Sequence, residues 1–468
     1  MNPTSNQFES AATAALANER LQRAVPNATQ RGFQERLHAI SQVPDWQQLR
    51  TRARAAKDDV LANLDSYLRQ FEENVVKNGG HVFIARDGRE ACDYIVRLAR
   101  DKNCKLAVKG KSMVSEEVAL NDALAAAGIE PVETDLGEFV VQIADDHPSH
   151  IVTPIIHKLR DEIADLFHEK LGIERTEDVS TLCLAARRHL REKFSRADMG
   201  ISGVNFAVAE TGTLVTVENE GNIRFSTTMP RVYVALMGME KIIPRLDDLA
   251  VFLRLLGRSG TGQKLTAYTN FLTGPRRAGE GDGPDEFHVV ILDNGRRRIW
   301  KDEEMRESLA CIRCGACLNA CPVYQKVGGH SYGWVYQGPI GAIITPQYLG
   351  LDQAKTLPYA SSLCGACLDA CPVKIDIPSI LLKLRARETE AGLASPFEKI
   401  MWRSWASAMT RPWLYAVGGR IASVLQRPLV RDGKIHKLPF LLGRWTKRRD
   451  FPPLAQKSFR QRWREGIE

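Results

Sequence analysis

Apolar residues enter this chain in two ways. Up to residue 78 they are scattered among Arg, Gln and Ala, most densely over 33–64, and that stretch predicts helices. Pro44 interrupts it once, and Gly79-Gly80 ends it. Beyond that point they gather into short runs. Residues 81–85 predict a strand, 89–100 a helix, 105–108 a second strand, 115–127 a helix, and 131–134 the start of another strand. Strand and helix alternating at short spacing predict a parallel α/β sheet. Runs at 205–209 and 213–217 flank Thr211-Gly212, those at 233–236 and 289–292 are expected to close the sheet, and 249–256 predicts a helix. A Gly-rich loop covers 274–286, and the domain boundary is expected near Asn294-Gly295.

A different pattern follows. Residues 301–391 hold most of the cysteines and end in a predicted helix over 379–391, with Asp376 as its cap and Pro378 near its first turn. From 396 the chain predicts helices broken at Pro412, Pro428, Pro439 and Pro452-Pro453. Five of the eight tryptophans fall there: Trp402, Trp405, Trp413, Trp445 and Trp463. Residues 396–468 carry 16 Lys or Arg against 5 Asp or Glu, a charge of +11 that exceeds the net charge of +8 and leaves the remainder at −3. Such a tail fits an acidic partner, a membrane surface or nucleic acid. With 468 residues, two or three domains are expected. No apolar run reaches 18 residues, and the first residues lack a basic start followed by an apolar core; neither a transmembrane helix nor a secretory signal is expected.

Seven of the ten cysteines lie within 311–371, which points to a metal or redox centre rather than a disulfide scaffold. The first run is Cys311-Ile-Arg-Cys314-Gly-Ala-Cys317-Leu-Asn-Ala-Cys321-Pro322. Three thiolates at intervals of three wrap one [4Fe–4S] cube. The fourth lies too far along to reach it and, in two-cluster ferredoxins, ligates the other cube. The second run, Ser361-Ser-Leu-Cys364-Gly-Ala-Cys367-Leu-Asp-Ala-Cys371-Pro372, repeats the first almost residue for residue. The repeat implies two half-modules that exchange one thiolate each. One cluster then takes Cys311, Cys314, Cys317 and Cys371; the other takes Cys364, Cys367 and Cys321. The fourth place of the second falls on Ser361. That centre is a [3Fe–4S] cluster, or a [4Fe–4S] cluster whose last iron binds Ser361, His330, water or a partner's group; the latter is preferred. Zinc is the alternative, but four ligands in two pairs do not match seven thiols in triplet spacing. Cys92, Cys104 and Cys183 read as small buried hydrophobes.

Other signals are weaker. The stretch 328–341 between the runs suits a loop packed over a cluster, with His330 hydrogen-bonded in it and Tyr332, Trp334 and Tyr336 as shielding or core. Gly110-Lys-Ser112 lacks the full phosphate-loop pattern, and a helix cap at Ser112 or Ser115 is the simpler reading. The glycines of 257–262 follow a helix, the wrong context for a dinucleotide fingerprint. Glu210-Thr-Gly-Thr213 reads as a turn, with the lip of a substrate pocket as the other possibility. No catalytic residue is identifiable.

The chain resembles the lactate utilization protein B family, the iron–sulfur subunit of a three-part L-lactate oxidation system. The resemblance is carried by Lys109-Gly-Lys-Ser-Met-Val-Ser-Glu-Glu117, Pro148-Ser-His-Ile-Val152, Ala209-Glu-Thr-Gly-Thr-Leu214, both cysteine runs, Gly338-Pro-Ile-Gly-Ala342 and Lys457-Ser-Phe-Arg-Gln-Arg-Trp463. It implies a helical region over 1–69 and a lactate-utilization α/β domain over 70–297, similar to ribose-phosphate isomerases and CoA-transferases. A two-cluster ferredoxin-like module over 298–391 and a basic, Trp-rich tail over 392–468 complete the expected organisation. It further implies electron transfer during oxidation of lactate to pyruvate, with other subunits of the complex and an electron acceptor, at the membrane surface or elsewhere, as partners. A cytoplasmic location is expected, peripheral at the inner face of the membrane if the tail docks there. Seven motif cysteines with Ser361 fit the family pattern. Two other functions remain open: a 2-hydroxyacid dehydrogenase with its own site in the α/β domain, and a metal-stabilised nucleic-acid-binding or regulatory protein, although no nucleic acid is expected.

Overall fold

A computed structural model describes residues 3–447 and 449–466. Positions 1, 2, 448, 467 and 468, which fall in the predicted terminal regions, lie outside the described residues. Residues 1–390 form one compact unit and 391–468 a second.

The strands of the first unit are β1 His81–Ala85, β2 Leu106–Lys109, β3 Glu130–Glu133, β4 Met199–Ser202, β5 Phe206–Val208, β6 Thr213–Glu218, β7 Val232–Gly238, β8 Ile242–Ile243, β9 Tyr268–Leu272 and β10 Glu286–Leu292. Six of them make the expected parallel sheet, in the order β1-β10-β7-β4-β2-β3. All seven residues of β7 are buried, as befits a central strand covered on both faces. Val232, Val234 and Leu236 face Ile95 and Leu124, while Tyr233, Ala235 and Met237 face Leu68 and Phe71. This alternation follows from the two-residue period of a strand.

The structure adds a second sheet and corrects one expectation. The runs at 205–209 and 213–217 do pair as an antiparallel hairpin, turning at Gly212, but they belong to a second sheet, β8-β5-β6-β9. The expected helix over 115–127 is two helices, Met113–Glu117 and Leu120–Ala126, separated by Ala119 at φ 52°. A left-handed residue stops the i to i+4 ladder and turns the chain.

The N-terminal helices do not stand apart. Val25, Trp46 and Leu49, from helices Glu19–Ser41 and Trp46–Ala62, share one core with Leu318, Tyr324 and Ile380 of the cysteine module.

In the second unit, helices Pro396–Thr410 and Pro412–Leu425 each begin on a proline, and Ser395 Oγ accepts from the Glu398 N–H at 3.2 Å. The strands Val430–Arg431 and Lys434–Ile435 form a small hairpin on Asp432-Gly433, both at positive φ. Asp-Gly is a preferred pair for such a turn. Among the described residues no helix is long and apolar enough to cross a membrane.

Candidate iron–sulfur centre

Each cysteine run builds the same short structure. Arg313 (φ 60°) and Gly315 (φ 76°) flank Cys314 in left-handed conformation; Leu363 (φ 54°) and Gly365 (φ 85°) flank Cys364 in the same way. Two left-handed residues curl each run around its middle cysteine. Each loop then enters a one-turn helix, Ala316–Ala320 or Ala366–Ala370. The Gly315 carbonyl accepts from Leu318 N–H at 3.0 Å, and the Gly365 carbonyl from Leu368 N–H at 2.9 Å. Glycine at the left-handed place costs little there, and a side chain would be strained.

Cys311, Cys314, Cys317 and Cys371 ring a single cavity, closed by apolar residues including Ile151, Ile340, Val373 and Ile375. Cys371 therefore joins the first run although it belongs to the second. Electrostatic contacts divide the thiols in the same way. Cys314 lies in the field of Cys371 and Cys311, whereas Cys321 lies in that of Cys364, and Cys367 in that of Cys321 and Cys364. Cys317 senses the whole first set and Cys367 besides, so it stands between the two groups.

The spacing also speaks to the kind of metal. Among the described residues, the group of three such ligand side chains that falls within 4.8 Å is Asp146, His157 and His330, not any set of thiols. One tetrahedral zinc would draw its sulfurs to about 3.8 Å from each other. Backbone N–H groups already point at the sulfurs: Arg313 at Cys311 Sγ (3.4 Å), Tyr324 at Cys321 Sγ (3.5 Å) and Ile375 at Cys371 Sγ (3.3 Å). In the second run the Leu363 N–H donates to Ser361 Oγ at 3.0 Å. Ser361 thus stands in the place that Cys311 occupies in the first.

Burial pushes the Cys314 thiol up to about 12 and Cys371 to about 11. Thiolates in such a place need positive partners. They have several. Arg36 donates to the Ala370 carbonyl at 3.0 Å, and Arg50 donates twice to the Cys371 carbonyl, at 2.9 and 2.7 Å. Both arginines come from the N-terminal helices and lie in the field of Cys371. Arg313, 8% exposed in its side chain, stacks over Tyr336 at 4.5 Å and pairs with Glu240 at 3.4 Å. Glu240 in turn binds Arg296 Nε at 2.7 Å, and Arg296 grips both oxygens of Glu117 at 2.8 Å. This buried chain of charges joins the α/β sheet to the first thiol ring. The segment carrying Cys364 faces outward: that thiol is exposed, and the Ala366 N–H and Ser362 hydroxyl lower its pKa.

His150 holds the first loop from below. Its Nδ1 accepts from the N–H groups of Val152 and Thr153, both at 3.0 Å, so Nε2 carries the proton toward Asn319 Oδ1 at 3.2 Å. Burial keeps the ring neutral, with its pKa lowered to about 3. Its edge lies against Gly315, where a Cβ would come within 3.2 Å of it. Neither Arg36 and Arg50 nor His150 was singled out by the sequence reading; only the Pro148–Val152 motif hinted at the last.

Other expectations meet mixed outcomes. His330 bonds through Nε2 to the His147 carbonyl at 2.7 Å and lies with Asp146 and His157. Tyr332, Trp334 and Tyr336 are buried, as expected of shielding or core residues. Ser112 Oγ caps its helix through the Ser115 N–H at 3.2 Å. Cys92 and Cys104 are buried, but Cys183 is exposed. It sits one residue off the buried stripe Leu182, Ala186, Leu190 of its helix.

Three family models match the chain in succession: the LUD domain over 68–292, the 4Fe-4S dicluster domain over 307–375, and Lactate utilisation protein B, C-terminal over 385–467. Lactate utilization protein B of Bacillus licheniformis is 48% identical, over 97% of this chain and 95% of its own length. The protein of that name from Bacillus subtilis (strain 168) is 46% identical, also over 97% and 95%. Uncharacterized electron transport protein YkgF of Escherichia coli (strain K12) is 43% identical, over 94% of this chain and 92% of its own.

Proposed function

Because the chain belongs to the lactate utilization protein B family, with a role in lactate utilization through iron–sulfur electron transfer, we propose that it carries electrons from the oxidation of L-lactate to pyruvate as one subunit of a multi-protein complex. The observation that carries this reading is the apolar cavity ringed by Cys311, Cys314, Cys317 and Cys371. These four thiols would hold one [4Fe–4S] cluster; Cys321, Cys364 and Cys367 would hold a second, with Ser361 at its fourth corner. Such clusters supply one-electron transfer and accept no hydride. The protein's own part is to fix the ligands, exclude water and set the charge around them. Arg36, Arg50 and Arg313 offset negative charge at the first centre, and the left-handed residues at 313, 315, 363 and 365 hold the loops open for backbone N–H groups. Tyr324 and Tyr332 lie in the field of Cys317 and Cys321 and keep the space between the two sets dry.

The outward face of Cys364 makes the second centre the natural exit to an acceptor. In the second unit, Trp402, Trp405 and Trp413 are exposed on helices that also carry Arg403 and Arg420, which suits docking to a partner subunit or a membrane surface. The test is iron and sulfide analysis with electron paramagnetic resonance on anaerobically purified protein. About eight irons per chain and two interacting signals on reduction are expected for two four-iron clusters. A colourless sample holding zinc would overturn the reading.

A further inference from the structure

Beside the first thiol ring lies a cavity of about 330 Å³. It opens where the loops after β2 and β4 face each other. From β2 the chain moves outward to β3, and from β4 it moves the other way to β7, so the strand order reverses between them. Crevices outside the carboxyl ends of strands at such a reversal are where parallel α/β sheets bind ligands. Here Lys111 and Ser112 follow β2, Asn205 follows β4, and Lys241 follows β7; all four line the cavity. Gly203 lets the two loops close up, since a Cβ there would meet Ser112 Oγ at 2.9 Å.

The far wall is Arg313 and Cys314, and those residues also line the first thiol ring. The large cavity and the proposed first cluster are therefore separated by a single stretch of chain. Three cations, Lys111, Lys241 and Arg313, and three carboxylates, Asp135, Glu218 and Glu220, line the cavity, but two of the cations carry a buried donor atom without a partner. Arg313 is 92% buried by its 8% side-chain exposure, yet its NH1 has no hydrogen-bond partner. Lys111 Nζ is also buried without one, 4.0 Å from Glu138 and so beyond hydrogen-bond reach. Two buried cationic donors without a partner, on residues that line one cavity, cost free energy unless an acceptor comes to them. Asp135, Glu218 and Glu220 also stand on the lining; Glu218 is engaged by the Ile223 and Arg224 N–H groups and Asn270, and the three carboxyl groups disfavour a second negative group on the ligand.

We propose that this cavity binds a small 2-hydroxymonocarboxylate, with its carboxylate on Arg313 and Lys111 and its hydroxyl toward Asp135 and Glu220. The proposal rests on the electron-carrier reading for the identity of the acid, and assigns to this chain a binding site beside the first centre. It asserts binding and not a bond-breaking step.

The test uses the full-length protein purified anaerobically with its iron. L-Lactate is titrated by calorimetry and by the line width of its methyl proton resonance with the protein reduced. Saturable binding is expected, with broadening of the methyl signal by the nearby paramagnetic centre. Lactamide, the same size but uncharged, should bind at least tenfold more weakly, and so should lactate to the Lys111→Met variant; Lys111→Arg should restore binding. No saturable binding to the wild-type protein, equal binding of lactamide, or binding without broadening would overturn the proposal. The broadening experiment needs no variant, so it decides even if Lys111→Met fails to fold. Iron, sulfide and the reduced spectrum of the same sample report separately on the carrier reading, which stands if they are present and binding is not.

Discussion

Cys314 and Cys364 occupy equivalent places in two nearly identical runs, each between two left-handed residues. Yet Cys314 is buried, near Arg36, and borders an interior cavity, whereas Cys364 is exposed and its run offers Ser361 where the first has Cys311. Local sequence sets the shape of a ligand loop; distant sequence sets what surrounds it. Burial alone would make an added electron costly at the first centre, and the buried arginines work against that cost. At the second, water does the screening and a partner can approach. With the ligand sets proposed above, two copies of one motif would become an inner and an outer station.

The strongest way to break this comparison is to remove the exchanged ligands one at a time. Cys371→Ala lies in the second run but should abolish the signal of the inner centre; Cys321→Ala lies in the first run but should abolish the outer one. Each should lower iron by about half if both clusters have four irons. Electron paramagnetic resonance on the two variants reads the outcome, and loss at the centre of the variant's own run would break the exchange. A smaller effect is expected from Arg50→Met. It takes three bonds from the Cys371 and Leu368 carbonyls, which are left without that partner, at a cost of about 1–3 kcal/mol in stability. The loss of a buried cation should also lower the inner potential and leave the outer one in place. Thermal melting and a redox titration measure the two effects, and equal shifts at both centres would remove the distinction drawn here.

How far the sequence could be read follows the same division. Ligand spacing is local, so both runs, and the serine at position 361 where the first run has Cys311, are legible in the sequence. The parallel sheet was legible too, because strand and helix alternate within a few residues. The surroundings were not. Arg50 reaches its carbonyl across 321 positions of chain, and in an Arg- and Gln-rich helix it looks like one more solvated charge. The Glu117–Arg296–Glu240 chain joins three segments that no motif connects. The runs at 205–209 and 213–217 read as strands, but nothing in them tells that they pair in a separate sheet, because pairing partners follow from tertiary packing and not from run length. The hairpin at 430–435 was missed although Asp432-Gly433 signals it, because its strands are two residues each.

Two milder substitutions sharpen the comparison. Ser361→Cys supplies the outer centre with the thiolate that the inner one already has. Brief exposure to air should then yield less three-iron signal from the outer centre, with the inner unchanged; an unchanged yield would mean that position 361 does not face the cluster. The smallest effect concerns the point where the two runs part. After Cys321-Pro322 the chain enters helix Tyr324–Val327, but after Cys371-Pro372 the equivalent residue, Lys374, sits at φ 53°. A lysine pays for that conformation where a glycine does not, and glycine gives part of the gain back through the entropy of the unfolded chain. The Lys374 carbonyl still accepts from Arg54 at 3.1 Å in a glycine variant, and the side chain's bond to Thr51 is exposed and weak. Lys374→Gly should therefore leave the melting temperature unchanged or raise it slightly, equivalent to no more than about 1 kcal/mol. A clear drop would show that the lysine side chain, and not its backbone, holds the outer run in place.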